Sequence, residues 1–305
     1  MPPDLTPPVV AVVGATASGK TALSLDLAEA LGGEVVNTDA MQVYRGMDIG
    51  TAKLPVEQRR GIPHHLLDTH DVAEPLTVAA FQAEARAVIS DLRSRGVTPV
   101  LVGGSALYTR AILDRFEFPG EDPVIRRRLE AELVDAGPAP LHARLATLDP
   151  EAGMRIDADN GRRIVRALEV IELTGRPFTA SLPALEYDDP ATVQVGVRLA
   201  RDELDRRIEQ RVTEMFEAGF VEEVRALGPL GRTAATAIGY REVAAHLLGE
   251  LTEEEARERT VIATRRFARR QDKWWRKDPR ITWVDFEDPD RVGVALAAVE
   301  HLRRS

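Results

Sequence analysis

Apolar residues along the chain keep two different rhythms. Val9-Val10-Ala11-Val12-Val13 and Thr98 to Val102 are short, nearly unbroken apolar runs, the mark of strands buried on both faces of a parallel sheet. Glu34 to Asn37 reads as another short strand after the Gly32-Gly33 break. Elsewhere the spacing turns helical: Leu23, Leu27, Ala28 and Leu31 share one stripe, and Val78, Phe81, Ala85, Val88, Ile89 and Leu92 share a second. Thr77 stands where that second helix needs an N-cap, Gly96 stops it, and a further helix runs through Leu107 to Leu113. Strands alternating with helices predict an α/β fold with a doubly wound parallel sheet. Residues 45–76 keep no period and carry Gly46, Gly50, Pro55, Gly61, Pro63 and Pro75. A long irregular segment is expected there, of the kind that usually serves function.

The alternation lapses from about Pro119 to Pro190. Only helical stretches are legible: Val124 to Asp135, Leu141 to Leu148, and Asn160 to Leu173 closed by Thr174-Gly175. Thr192 to Leu199 regains strand character. Leu204, Ile208, Val212, Met215 and Phe216 mark a helix stopped by Gly219, and another begins near Gly239. A long helix spans Glu253 to Trp275, followed by a strand at Ile281 to Val284 and a helix from Val292 to Leu302. The expected domains are a core of residues 1–118 and 192–305 and a mainly helical insertion of residues 119–191.

Gly14-Ala15-Thr16-Ala17-Ser18-Gly19-Lys20-Thr21 fits G-x-x-x-x-G-K-[ST] and lies between the first strand and the first helix, as a phosphate-binding loop requires. Its glycines let successive amides turn inward around an anion, and the helix points its positive end at the phosphates. Lys20 adds a point charge and Thr21 offers a hydroxyl to Mg²⁺. The core is thus expected to be P-loop NTPase-like, with a di- or triphosphate as ligand. Asp39 follows the second strand and should lie near that loop, as a Mg²⁺ ligand or general base; a capping or turn Asp is the structural alternative. The third strand ends in Gly103-Gly104-Ser105 with no acid, unlike an ordinary ATPase. His64 and His65 are adjacent, so both rings cannot readily face one metal, and hydrogen bonding suits them better. Arg162, Arg163 and Arg166 share a helix whose apolar face is Ile164, Leu168 and Ile171, so they point outward as a group.

With 305 residues, 44% of them hydrophobic and 29% charged, the composition is that of an ordinary soluble globular protein. No apolar run approaches membrane-spanning length, and Met1-Pro2-Pro3-Asp4 lacks the regions of a secretory signal. No cysteine is present for a disulfide, a catalytic thiol or a cysteine-ligated zinc. A cytoplasmic monomer is expected. The net charge of −9 argues against a nucleic-acid partner only as a sum, because residues 257–280 hold ten Arg or Lys against three Asp or Glu. There Thr264 to Arg276 interleaves Phe267, Trp274 and Trp275 with cations, as expected where phosphates are neutralised and unpaired bases stack. An amphipathic helix with its Trp residues in the core and Arg–Glu pairs outside explains the stretch equally well.

Together these stretches resemble one family, the tRNA dimethylallyltransferases (tRNA isopentenyltransferases), from Val9 to about Trp283. The phosphate loop is shared by many nucleotide enzymes, but Asp39-Ala40-Met41-Gln42-Val43-Tyr44-Arg45-Gly46-Met47-Asp48-Ile49-Gly50-Thr51-Ala52-Lys53 is far more specific. His64 to Asp68, Gly103 to Tyr108, Arg162 to Val170, Ala237 to Glu242 and Thr264 to Arg276 complete the likeness. It implies transfer of a dimethylallyl group from its diphosphate to the N6 amine of the adenosine just 3′ of the tRNA anticodon. It also implies that Gly14 to Thr21 cradle dimethylallyl diphosphate rather than ATP, with Thr21 binding Mg²⁺. Asp39 would be the base, Ser105 would stand near the same centre, and Arg207 (alternatively Arg201) would meet the leaving diphosphate.

The tRNA contacts so implied are Asp39, Ala40, Met41 and Gln42, then Ser105 and Arg126, and the run Arg162, Arg163, Ile164, Val165 and Arg166. Thr236, Ala237, Ile238, Gly239, Tyr240 and Arg241 follow, with Arg270, Trp274 and Arg276 at the end. Two departures stand out: Ala40 where family members often have Ser, and Ser105 where many have Thr. Ser105 keeps the hydroxyl, whereas Ala40 loses a hydrogen bond near the base. The rival readings are a P-loop small-molecule kinase, an enzyme prenylating free adenine nucleotides, and a nucleotide-dependent RNA-binding switch.

Overall fold

The structure, a computed structural model, describes residues 6–116, 118–178 and 185–304. The chain divides into two compact units, residues 1–114 with 187–305, and residues 115–186. In the first, β1 (Val9–Val13), β2 (Gly33–Asn37), β3 (His64–His65), β4 (Thr98–Val102), β5 (Thr192–Arg198) and β6 (Ile281–Asp285) form one sheet. Its order is β3-β2-β4-β1-β5-β6 and every neighbouring pair is parallel. The side-chain period of two sorts β1 between two cores: Val9, Ala11 and Val13 join one, Val10 and Val12 the other. Helices therefore cover both faces, as a wholly parallel sheet requires.

On one face lie α1 (Lys20–Leu31) and, at the far end of the chain, a helix from Arg291 to Arg304, contributing Leu23, Leu27, Ala295 and Val299. On the other, α2 (Val78–Ser94) brings Phe81, Ala85 and Leu92, and α3 (Ala106–Leu113) brings Ile112 and Leu113. Thr77 caps α2 by accepting the Ala80 amide at 3.1 Å.

The second unit holds α4 (Pro123–Ala136), α5 (Pro138–Leu148), α6 (Pro150–Arg155) and α7 (Gly161–Thr174) around Leu129, Leu141, Leu145, Ile164 and Leu168. Proline opens three of these helices, where its missing N–H costs nothing, and Asp122 and Asp149 cap α4 and α6. The core resumes with α8 (Arg201–Glu217), α9 (Phe220–Ala226), α10 (Tyr240–Leu247) and α11 (Glu253–Trp275), and the Arg291–Arg304 helix is α12. Among the described residues no helix is long and apolar enough to cross a membrane.

Residues 45–76 are mostly irregular, but β3 within them extends the sheet edge, and His65 Nε2 meets Glu34 at 2.6 Å. Two charged side chains, buried Lys53 and half-buried Glu223, order the segment. Lys53 Nζ donates to the Tyr44 carbonyl at 3.0 Å and to Asp48 and Asp68 at 2.5 Å each. Glu223 of α9 accepts the amides of Asp48, Ile49 and Gly50 at 2.9, 2.6 and 3.1 Å and the Tyr240 hydroxyl at 2.6 Å. Side chains thus supply the partners that a strand or helix would otherwise give these amides.

Candidate active site and nucleic-acid interface

The loop after β1 is built to leave donors open. Gly19 sits at φ +95° as the N-cap of α1, and no side chain caps that end. Ala17 adopts φ 63°, a left-handed conformation that costs a non-glycine residue roughly 1–2 kcal/mol. Lys20 Nζ donates to the Ala15 carbonyl at 2.5 Å. Burial pushes Lys20 down to about 7, helped by the charge of Arg211 and opposed by that of Asp39. Thr21 is exposed, and its hydroxyl makes no hydrogen bond among the described residues. The Ser18 hydroxyl is buried without a partner among them.

Two neighbouring loops close on this one. Gly103 lets the end of β4 lie against the end of β2, because a Cβ there would stand 2.1 Å from Thr38 Oγ1. Thr38 Oγ1 in turn meets Thr109 Oγ1 of α3 at 2.9 Å. From α11, Gln271 accepts the Thr16 amide at 2.8 Å, and Trp275 Nε1 donates to the Gly104 carbonyl at 3.2 Å. The buried underside of the basic helix therefore holds the phosphate loop in place.

Asp39 emerges from β2 with its backbone fixed by Asn37, which accepts its amide at 2.8 Å and donates to its carbonyl at 2.9 Å. Its carboxylate accepts the Met41 amide at 2.9 Å. Burial raises its pKa above the usual carboxylate range, although that amide and Lys20 pull it down. Tyr108 of α3 is raised to about 12 by burial and by the charges of Tyr44 and Asp39. Ser105 occupies the N-cap position of α3 without a capping hydrogen bond from its side chain. Asp39, Lys20 and Tyr108 thus lie within electrostatic reach at the carboxyl edge of the sheet, where ligands of such folds bind.

Helix α8 overlies the loop, with Ile208 packed on Ala15 and Ala17. Arg207 is ion-paired to Glu203 at 2.8 Å and stacks 3.9 Å above the Phe286 ring. Arg201 is exposed and makes no ion pair among the described residues. Sequence reasoning passed over Arg211, whose Nη1 lies 3.5 Å from Thr16 Oγ1 and which has no ion-pair partner among the described residues. Its signal was the four-residue spacing from Arg207, which puts both guanidiniums on the face that buries Ile208.

The residues expected to meet nucleic acid divide sharply. Thr236, Ala237, Ile238 and Arg241 line a cleft of 380 Å³ together with Arg266 and Arg270 of α11. Neither Arg266 nor Arg270 has a carboxylate partner among the described residues, and Trp274 is 45% exposed beside them in sequence. Arg276 is paired with Asp272 at 2.7 Å, and Tyr240 is buried with its hydroxyl on Glu223. Gly239 turns at φ +91° to start α10. Met41 and Gln42 are half-buried, Gln42 donating to the Thr51 carbonyl at 3.0 Å, while Ala40 is buried.

In the second unit Arg162 and Arg163 are exposed. Ile164 and Val165 are core residues there, which closes their side chains to a ligand. Arg126 and Arg166 both bind the fully buried carboxylate of Glu169, so Arg166 does not point outward with its neighbours as the helical pattern predicts. Glu169 and the carbonyls of Gly120 and Pro119 supply the partners that offset the desolvation of the Arg166 guanidinium.

Fold and site define a doubly wound P-loop protein with a half-buried carboxylate beside the loop and a helix that exposes one basic face. A family profile described as IPP transferase matches residues 42–278. The chain is 70% identical over 296 residues to a tRNA dimethylallyltransferase of a Nocardioides species, covering 96% of each chain. It is 59% identical over 304 residues to one of Salinispora arenicola, covering 97% of this chain and 87% of that one. The crystal structure of a full-length tRNA isopentenylpyrophosphate transferase from Bacillus halodurans superposes with a TM-score of 0.70 at 38% identity, over 97% of this chain and 98% of that one. A eukaryotic dimethylallyltransferase acting on tRNA superposes with a TM-score of 0.77 at 28% identity, over 92% of this chain and 74% of that one. The chain belongs to the IPP transferase family, among relatives named tRNA dimethylallyltransferases.

Proposed function

We propose that this chain transfers the dimethylallyl group of dimethylallyl diphosphate to tRNA, at the N6 amine of the adenosine 3′-adjacent to the anticodon, releasing diphosphate. The observation that carries the reading is Asp39, half-buried at the end of β2 with its carboxylate held by the Met41 amide and in electrostatic reach of the loop lysine. An adenine amine is a weak nucleophile. As N6 bonds to the terminal carbon of the prenyl chain, the carbon–oxygen bond to diphosphate breaks and the oxygen keeps its electron pair. The N6 proton passes to the Asp39 carboxylate. The growing charge on the leaving group meets Lys20, the amide groups at the start of α1, and the α8 arginines Arg207 and Arg211.

The hydroxyl of Thr21 is a hard oxygen donor left open, which suits Mg²⁺, and the described residues contain no group of three His, Asp or Glu to hold a metal otherwise. Mg²⁺ would therefore take Thr21, diphosphate oxygens and water, neutralising phosphate charge. Ser105 is assigned to the same centre. The cleft of Thr236, Arg241, Arg266 and Arg270, with Trp274, is assigned to the tRNA backbone and unstacked bases, and Arg162 and Arg163 to further tRNA contacts. The acceptor adenine must leave its stack to reach Asp39.

Labelled dimethylallyl diphosphate tests the reading in competition: an anticodon stem-loop should block labelling of tRNA, and AMP should not. Label appearing on AMP instead would assign the chain to free nucleotides, and ATP turnover with a small acceptor would assign it to the kinases.

A further inference from the structure

Phe286, the residue after β6, abuts the phosphate loop. A Cβ added to Gly19 would stand 2.3 Å from two of its ring carbons, so glycine alone admits the ring. The ring is held firmly: the Phe286 amide donates to the Arg198 carbonyl of β5 at 2.9 Å, and the side chain packs on the core shared with α1 and α12. The guanidinium carbon of Arg207 lies 3.9 Å from the ring centroid and that of Arg291 5.5 Å from it.

We propose that Phe286 is a specificity wall, which closes the end of the phosphate loop remote from Asp39 and so admits a diphosphate with a free outer phosphate while rejecting a nucleoside diphosphate. The sheet order supplies the direction. Asp39 follows β2 on one side of β1, and Phe286 follows β6 on the other. Loops of this motif cradle the α- and β-phosphates on their amides and reach the outer phosphates with the lysine side chain, and Lys20 is the member that feels the charge of Asp39. A nucleoside would then leave the loop past Gly19, on the side the ring occupies. A prenyl diphosphate lies the other way round, with its reacting carbon toward Asp39 and only a terminal phosphate toward Phe286. Arg207, stacked on the ring, offers that doubly charged end a cation, which a ribose would not use.

This inference rests on the proposed function, and one titration separates the two. Inorganic diphosphate, ADP and dimethylallyl diphosphate, each with Mg²⁺, are titrated against wild type, Phe286→Ala and Phe286→Tyr by calorimetry. In wild type, ADP should bind about 100-fold more weakly than inorganic diphosphate, because a clash at a rigid wall is an exclusion rather than a lost contact. Phe286→Ala should tighten ADP about tenfold or more while weakening inorganic diphosphate, and Phe286→Tyr should restore the exclusion. Equal ADP affinity in wild type and Phe286→Ala, or ADP binding wild type as tightly as diphosphate, overturns the wall. Absent binding of dimethylallyl diphosphate to wild type, with the ADP contrast intact, overturns the functional reading and leaves the wall standing.

Discussion

Asp39 and Lys20 are held in opposite senses by one cause. Burial penalises both charged forms, raising the carboxyl and lowering the ammonium to about 7. The proposed mechanism needs Asp39 unprotonated and Lys20 protonated. Activity at low substrate should therefore rise with pH through a carboxylate pKa above the ordinary range and fall as pH passes about 7. Bound diphosphate favours the charged lysine, so the falling limb of kcat should lie at higher pH than that of kcat/KM. Coincident limbs in the two profiles would remove Lys20 from the diphosphate. Asp39→Ala should lower kcat about 1000-fold and leave tRNA affinity within several-fold, read from single-turnover rates and direct binding. Collapse of binding with turnover preserved at saturation would make Asp39 a tRNA contact instead. Both residues were legible because each follows a strand inside a motif. For Arg211 only its spacing from Arg207 was legible; its partner Thr16 was not, because it lies 195 residues away and periodicity does not say what a helix face packs against.

At the scale of elements, α11 answers a question the residue pattern left open. The two readings of its basic stretch hold on different faces of one helix. Ala268, Gln271 and Trp275 face inward, and Arg265 and Arg269 pair with Asp205 and Glu209 of α8. Arg266, Arg270 and Trp274 remain exposed. Replacing Arg266 and Arg270 with Ala should reduce the slope of log affinity for tRNA against log salt by about 1.4, at about 0.7 per single-strand phosphate contact. Arg269→Ala should change the slope far less, because its charge is already paired. Equal slopes for wild type and the double variant would give this face a structural role. Long amphipathic helices and apolar strands were readable from the sequence, whereas β3, α6 and α9 were not. A strand of two residues and helices of six and seven span too few positions to show a period.

Across the whole molecule, the phosphate loop, Asp39 and the α11 cleft belong to one compact unit, and Arg162 and Arg163 to the other. The helical insertion was legible from the lapse of strand–helix alternation, but its inner chemistry was not: Arg126 and Arg166 converge on Glu169. Glu169→Ala leaves two half-buried guanidiniums without their carboxylate and should destabilise the insertion by about 3 kcal/mol. Hydrogen exchange should quicken in α4 and α7 while dimethylallyl diphosphate affinity stays unchanged. Weakened diphosphate binding would contradict a ligand site confined to the core unit. The central claim is the chemistry itself, and nucleoside mass spectrometry of unmodified tRNA, incubated with the purified protein, dimethylallyl diphosphate and Mg²⁺, reads it directly. The expected result is N6-dimethylallyladenosine at the position 3′ of the anticodon, absent with Asp39→Ala; tRNA nucleosides left unchanged by active wild-type protein would contradict it.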